Sequence, residues 1–161
     1  MYPKEMKMTQ KKYELLRNDT ITIPNGKTLY RIKALIDFGV VVAGSLGGYI
    51  EKEDNLAHSG NAWVYGNAEV YGNALVSGDA WVYGNADLVW FSKVGTEQGT
   101  LTVYKSKDGS LLATRGCFSG TVDEFLAKSA EVHNERIQRE YRLLIEIAKS
   151  RLLGESYVPT F

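Results

Sequence analysis

Asn61-Ala62-Trp63-Val64-Tyr65-Gly66-Asn67-Ala68-Glu69-Val70-Tyr71-Gly72-Asn73-Ala74-Leu75-Val76-Ser77-Gly78-Asp79-Ala80-Trp81-Val82-Tyr83-Gly84-Asn85-Ala86-Asp87 is a six-residue unit repeated in tandem. Each unit opens on Val64, Val70, Val76 or Val82, turns at Gly-Asn or Gly-Asp, and carries alanine in its fifth place. A short strand points alternate side chains to opposite sides, so Ala62 and Val64 face inward while Trp63 and Tyr65 face outward. Gly-Asn turns the chain because both residues accept backbone angles that Val or Tyr resist. Leu88 and Val94 keep the aliphatic phase as the regular stretch, about His58 to Lys93, fades, and Val40 and Leu46 hold it upstream. A period this short excludes solenoids of helix pairs and predicts a short left-handed parallel β-helix, three units to a triangular turn. The left hand comes from the hexapeptide pattern itself, since chirality rules favour the opposite crossover.

The flanks read differently. Thr20–Ile23 and Thr28–Leu35 alternate around Pro24-Asn25-Gly26, which predicts an N-terminal β-hairpin over about Thr20–Lys33. Lys107-Asp108-Gly109 marks a second hairpin between Leu101–Tyr104 and Leu111–Thr114. Thr121 and Glu124 form a capping box ahead of a helix at Val122–Val132. Ile137, Tyr141, Leu144, Ala148 and Leu152 recur at helical spacing, and Gly154 should end that second helix. The expected class is therefore mainly β with C-terminal α. It divides into 1–36 with a hairpin, 37–96 as β-helix, 97–120 as a hairpin extension, and 121–161 as a helical hairpin and tail.

The 161 residues carry 19 basic and 19 acidic side chains, so overall charge favours neither nucleic acid nor an anionic membrane. One cysteine cannot form an internal disulfide, which fits a reducing cytosol. No apolar run is long enough to span a bilayer, and the lysines near the start are not followed by an apolar core of signal-peptide length.

The repeat resembles the hexapeptide family of left-handed β-helices, whose best-known members are acyltransferases. A wider pattern consists of Leu29-Tyr30-Arg31-Ile32-Lys33-Ala34-Leu35, Gly47-Gly48-Tyr49-Ile50-Glu51, the Asn-Ala repeats and Arg115-Gly116-Cys117-Phe118-Ser119-Gly120-Thr121. It resembles a group of small phage and prophage proteins over roughly Tyr13 to Leu153. This resemblance implies a bacterial host cytoplasm and supplies no catalytic residues. Hexapeptide acyltransferases need a catalytic histidine beside a cleft between subunits, and only His58 and His133 are present. His58 falls in the inward phase, where it caps the first regular turn. His133 closes a helix, where a cation suits the dipole. Zinc hydration chemistry needs three histidines, and a Cys117–His133 pair has no surrounding motif.

The outward positions are more informative. Trp63 with Trp81, and Tyr65 with Tyr83, are eighteen residues apart and should stack into one aromatic face. Rings of this kind bury about 150–250 Å² each, so the face is expected under the chain's own C-terminal helices or in the seam of a homotrimer. Arg136, Arg139 and Arg142 form a basic stripe, a candidate anion site if three copies gather them. The sequence thus reads as a non-enzymatic binding protein for a host protein, possibly a defence component, or for a small ligand at a subunit interface. An acyltransferase acting on a thioester is the alternative. No cofactor or metal is implied.

Overall fold

Pro24-Asn25-Gly26 joins the first two strands, with Gly26 at φ +90, an angle that glycine adopts without strain. The computed structural model describes residues 11–154. Strands β1 (Tyr13–Thr22) and β2 (Thr28–Ala34) are antiparallel, and β3 (Leu46–Ile50) lies antiparallel on β2. The repeat then supplies three strands of two residues each: β4 (Trp63–Val64), β5 (Glu69–Val70) and β6 (Trp81–Val82). Strand β5 adds to β3 in parallel, giving a mixed sheet in the order β1-β2-β3-β5, while β4 and β6 pair with each other. Next, β7 (Leu88–Val94), β8 (Gly99–Lys105), β9 (Leu111–Arg115) and β10 (Phe118–Thr121) form an antiparallel meander. Helices α1 (Val122–Val132) and α2 (Glu135–Leu153) pack on it, α1 opened by the Thr121–Glu124 capping box and α2 followed by Gly154 at φ +64.

The protein is not a left-handed parallel β-helix. It is a mixed α/β structure whose sheets combine parallel and antiparallel pairs and neither close nor curl, and the resemblance to hexapeptide and phage β-helices falls with that expectation. Two features explain the outcome. First, the repeat meets earlier chain at unequal offsets: Trp63 pairs with Trp81 and Val64 with Val82, eighteen residues on, whereas Tyr49 pairs with Glu69 and Leu56 with Val76, twenty residues on. Second, Gly66, Gly72 and Gly78 turn at positive φ of 58, 63 and 69, but Gly84 is extended at −161. With that turn lost, Asn85–Asp87 forms a 3-10 turn and the chain departs along β7. A solenoid gains stability by stacking several equivalent units. Here the chain passes over itself once before antiparallel strands take the remaining surface.

The side chains read as inward are buried, whereas Trp63, read as outward, is buried with them. Val64, Val70, Val76 and Val82 are fully buried, as are Ala62, Ala68, Ala74 and Ala80, in a core shared with Tyr13, Ile32, Ile50, Leu56, Trp63 and Tyr104. A second core joins Leu101, Val103 and Ala113 of the meander to Phe125, Ile137, Tyr141, Ile145 and Leu152 of the helices. The C-terminal helices therefore cover the second sheet rather than the aromatic face.

Burying an unpaired charge in the first core strands it without solvent or partner, a penalty of several kcal/mol. Val76→Asp is expected to lower unfolding free energy by at least about 3 kcal/mol in a denaturant titration. An unshifted midpoint would place Val76 outside the core.

Candidate functional site

The four aromatic residues singled out in the sequence separate in the structure. Trp63 is buried, with Tyr13 and Phe38 against it edge-on at 6.2 and 5.3 Å between ring centres, so it cannot serve as an interface residue. Tyr65, Trp81 and Tyr83 remain together and open to one side. Tyr65 stacks on Tyr83 at 4.4 Å, and Trp81 meets both edge-on at 6.2 and 5.7 Å. Tyr83 is 54% exposed.

Tyr65 and Trp81 form the wall of a cleft of about 630 Å³, the size range of small-molecule sites. Gly39, Val40 and Val41 close one side, the β8–β9 turn at Ser106–Ser110 another, and Ser119–Thr121 with Glu124 a third. Asn61 and Asp79 stand beside the rings, and among the described residues their side chains make no hydrogen bond. The buried hydroxyl of Tyr65 likewise has no partner among the described residues, and its burial raises its pKa. A buried hydroxyl without a partner costs about 1–3 kcal/mol, so such groups are usually satisfied by water or ligand. Three carboxylates, Asp79, Asp108 and Glu124, face one lysine, Lys107. Asp108 is held by Ser106 Oγ, Ser110 N and Ser110 Oγ, which lower its pKa to about 2, and Glu124 accepts from Thr121 N. Asp108 thus stays ionised throughout the neutral range.

No histidine or cysteine lines it. His58 lies elsewhere, its ring stacked on Tyr13 at 4.2 Å. Its Nδ1 accepts from Lys12 N, which leaves Nε2 to donate to Glu53 at 2.8 Å. Both ring nitrogens are therefore committed, one to the segment that leads into β1 and the other to the Glu53–Asn55 turn. His133 caps α1, with Nδ1 against Ser129 Oγ, and Cys117 is exposed in the β9–β10 turn; no hydrogen bond joins the two. Arg136, Arg139 and Arg142 are exposed on α2, where Arg142 pairs with Glu135 at 3.4 Å, and they line none of the clefts described here. Among the described residues, no helix is long and apolar enough to cross a membrane.

Lys12 was not legible as special in the sequence. It is 1% exposed, and its ammonium donates to Ala62 O at 2.8 Å and Gly60 O at 3.4 Å, 4.7 Å above the Phe38 ring. Phe38 adjoins the Gly39–Val41 side of the cleft, so this buried cation anchors the cleft's rim. No short motif marks a buried lysine; only its place just before a strand that becomes a sheet edge explains it.

No protein-family profile, curated protein or solved structure matches the chain.

Burial lowers the Lys12 pKa from 10.5 to about 8. Between those values the unfolded chain holds a proton that the folded chain has released, so stability rises with pH across that window. The full gain is on the order of 3 kcal/mol. Tyr13 and Tyr104 act oppositely: burial raises both hydroxyls above 10, so the unfolded chain ionises first and stability falls above that pH. Denaturation midpoints should climb from pH 8 to about 10 and then drop, and Lys12→Met should abolish the climb.

Proposed function

We propose that this chain is a binding protein that holds a small, uncharged or cationic, ring-bearing ligand in the cleft walled by Tyr65 and Trp81. The observation that carries this reading is a pair of aromatic rings lining a cleft of about 630 Å³, beside polar groups of Asn61 and Asp79 that have no hydrogen-bond partner among the described residues. Rings give a ligand a flat apolar surface, and the few polar groups fix its orientation. Carboxylates outnumber lysine along the wall, which opposes phosphate-bearing ligands such as nucleotides and acyl thioesters of CoA. The site belongs to one chain, so the reading does not need a subunit interface. The homotrimer seam offered as a cover for the aromatic face rested on a triangular β-helix, and the open sheets remove that support. The exposed thiol of Cys117 supports a reducing compartment such as a bacterial cytoplasm.

A partner protein is the second reading. Val40 and Val42, 68% and 62% exposed, and Tyr83 extend apolar surface beyond the rim. Large apolar side chains left exposed in this way suit a protein contact.

Native mass spectrometry after incubation with a small-molecule extract tests the first reading. A retained mass should appear with the wild-type chain and weaken about fivefold to thirtyfold in affinity with Trp81→Ala, the loss expected when an aromatic contact of roughly 1–2 kcal/mol is removed. If Trp81→Ala retains the same mass to the same extent, the ligand lies elsewhere. If Val40→Asp abolishes capture of a protein while Trp81→Ala leaves it intact, the second reading replaces the first.

A further inference from the structure

On the other side of the repeat, the meander presents a cation that forms no ion pair among the described residues. Arg115 ends β9, half-buried, and its Nε is buried without a hydrogen-bond partner among the described residues. No described carboxylate stands within ion-pair distance of its guanidinium. Glu140 accepts from Gly95 N at 2.8 Å, and Asp54 lines the same cleft without pairing with Arg115. A guanidinium removed from water usually gains a carboxylate or phosphate, because the charge is otherwise uncompensated.

The surroundings fit a guest. Arg115 lines a cleft of about 360 Å³ together with Lys52, Asn73, Gln98, Thr100 and Thr114. Lys52 is a second cation, Asn73 and Gln98 are amide donors, and Asp54 is the lone acid of the lining. Gly99 is kept bare for the arginine: a Cβ there would lie 2.6 Å from Arg115 Cζ and 2.7 Å from Nη1. Gln98, beside it, sits at φ +50, a left-handed angle that non-glycine residues seldom adopt. Backbone strain of this kind concentrates at sites where geometry is held for a purpose.

We propose that this cleft is an oxyanion-binding site, with Arg115 as its principal cation and Lys52 as the second, separate from the aromatic cleft and of opposite charge preference. The ligand chemistry is a phosphate or carboxylate group on a small molecule. The planar guanidinium offers paired N–H donors to such a group, and the amides complete its hydrogen bonding.

The side-chain N–H resonance of Arg115 Nε reports the site directly. Inorganic phosphate, a nucleoside monophosphate and citrate are titrated separately into the full chain, with sodium chloride at matched ionic strength as control. The expected result is a saturating shift of that resonance with at least one oxyanion and none with chloride. Phosphate and monophosphate responding without citrate assigns a phosphoryl ligand; citrate alone assigns a carboxylate. Arg115→Gln should weaken binding at least about tenfold and Lys52→Gln about threefold, as for charge-assisted hydrogen bonds. Gly99→Ala pushes a methyl onto the guanidinium and should also weaken binding, which keeps the test open if Arg115→Gln does not fold. An unmoved resonance with all three anions, an equal shift with chloride, or full-strength binding by folded Arg115→Gln or Gly99→Ala overturns the site.

Discussion

Two-residue strands leave most of their backbone N–H and C=O groups without a ladder, and buried backbone polar groups must find partners. The whole middle of this protein is arranged around that requirement. On one side of the repeat, Lys12 Nζ bonds Gly60 O and Ala62 O, and Tyr13 Oη bonds Glu53 O and Leu56 O. On the other, Thr102 Oγ1 accepts from Leu75 N, Thr114 Oγ1 donates to Leu75 O, and Tyr104 Oη accepts from Ser77 N. Asn55 stitches the layers internally, its amide donating to Gly72 O and Ala74 O. Side chains of the flanking segments thus take the place of the further repeats that a longer solenoid would provide. The N-terminal sheet and the meander are coupled to the repeat by hydrogen bonds as well as by apolar contact.

That arrangement also positions both clefts. Because the meander docks on the repeat through Leu75 and Ser77, the β8–β9 turn swings beside Asp79 and Trp81, joined by the Ala80–Ser106 bridge and by Lys107 N to Asp79 O at 3.1 Å. The aromatic cleft is the space left between that turn, the repeat and the loop carrying Phe38. The same docking sets Arg115 and Gly99 near Asn73 and Lys52 at the opposite edge. One cleft gathers acids around aromatic rings, the other gathers cations with amides. A chain with equal numbers of acidic and basic residues has therefore sorted them by site, which its net charge of zero conceals.

Much of the secondary structure was legible because it rests on local chemistry. Asn25-Gly26 and Asp108-Gly109 gave their hairpins, Thr121 with Glu124 gave the start of α1, and Gly154 the end of α2. The aromatic residues of the cleft were half legible. Their eighteen-residue spacing put Trp63 beside Trp81 and Tyr65 beside Tyr83, but whether each ring is covered depends on Tyr13 and Phe38, which approach from distant parts of the chain. Arg115 carried no signal as a binding residue beside the more conspicuous arginines of α2, since a missing partner is visible only once neighbours are known.

The sequence by itself determined which side chains point inward: the alternation along Ala62–Val82 is a property of the extended backbone and needs no neighbour to establish it. Whether those short strands would go on winding as a β-helix was a tertiary matter. Continued winding needs equal offsets and further stacked units. The chain instead has offsets of eighteen and twenty, an extended Gly84, and two flanking sheets, one mixed and one antiparallel, whose edges and hydroxyl groups satisfy the repeat's backbone first. Local periodicity fixes direction, and competition for hydrogen bonds and buried surface decides architecture.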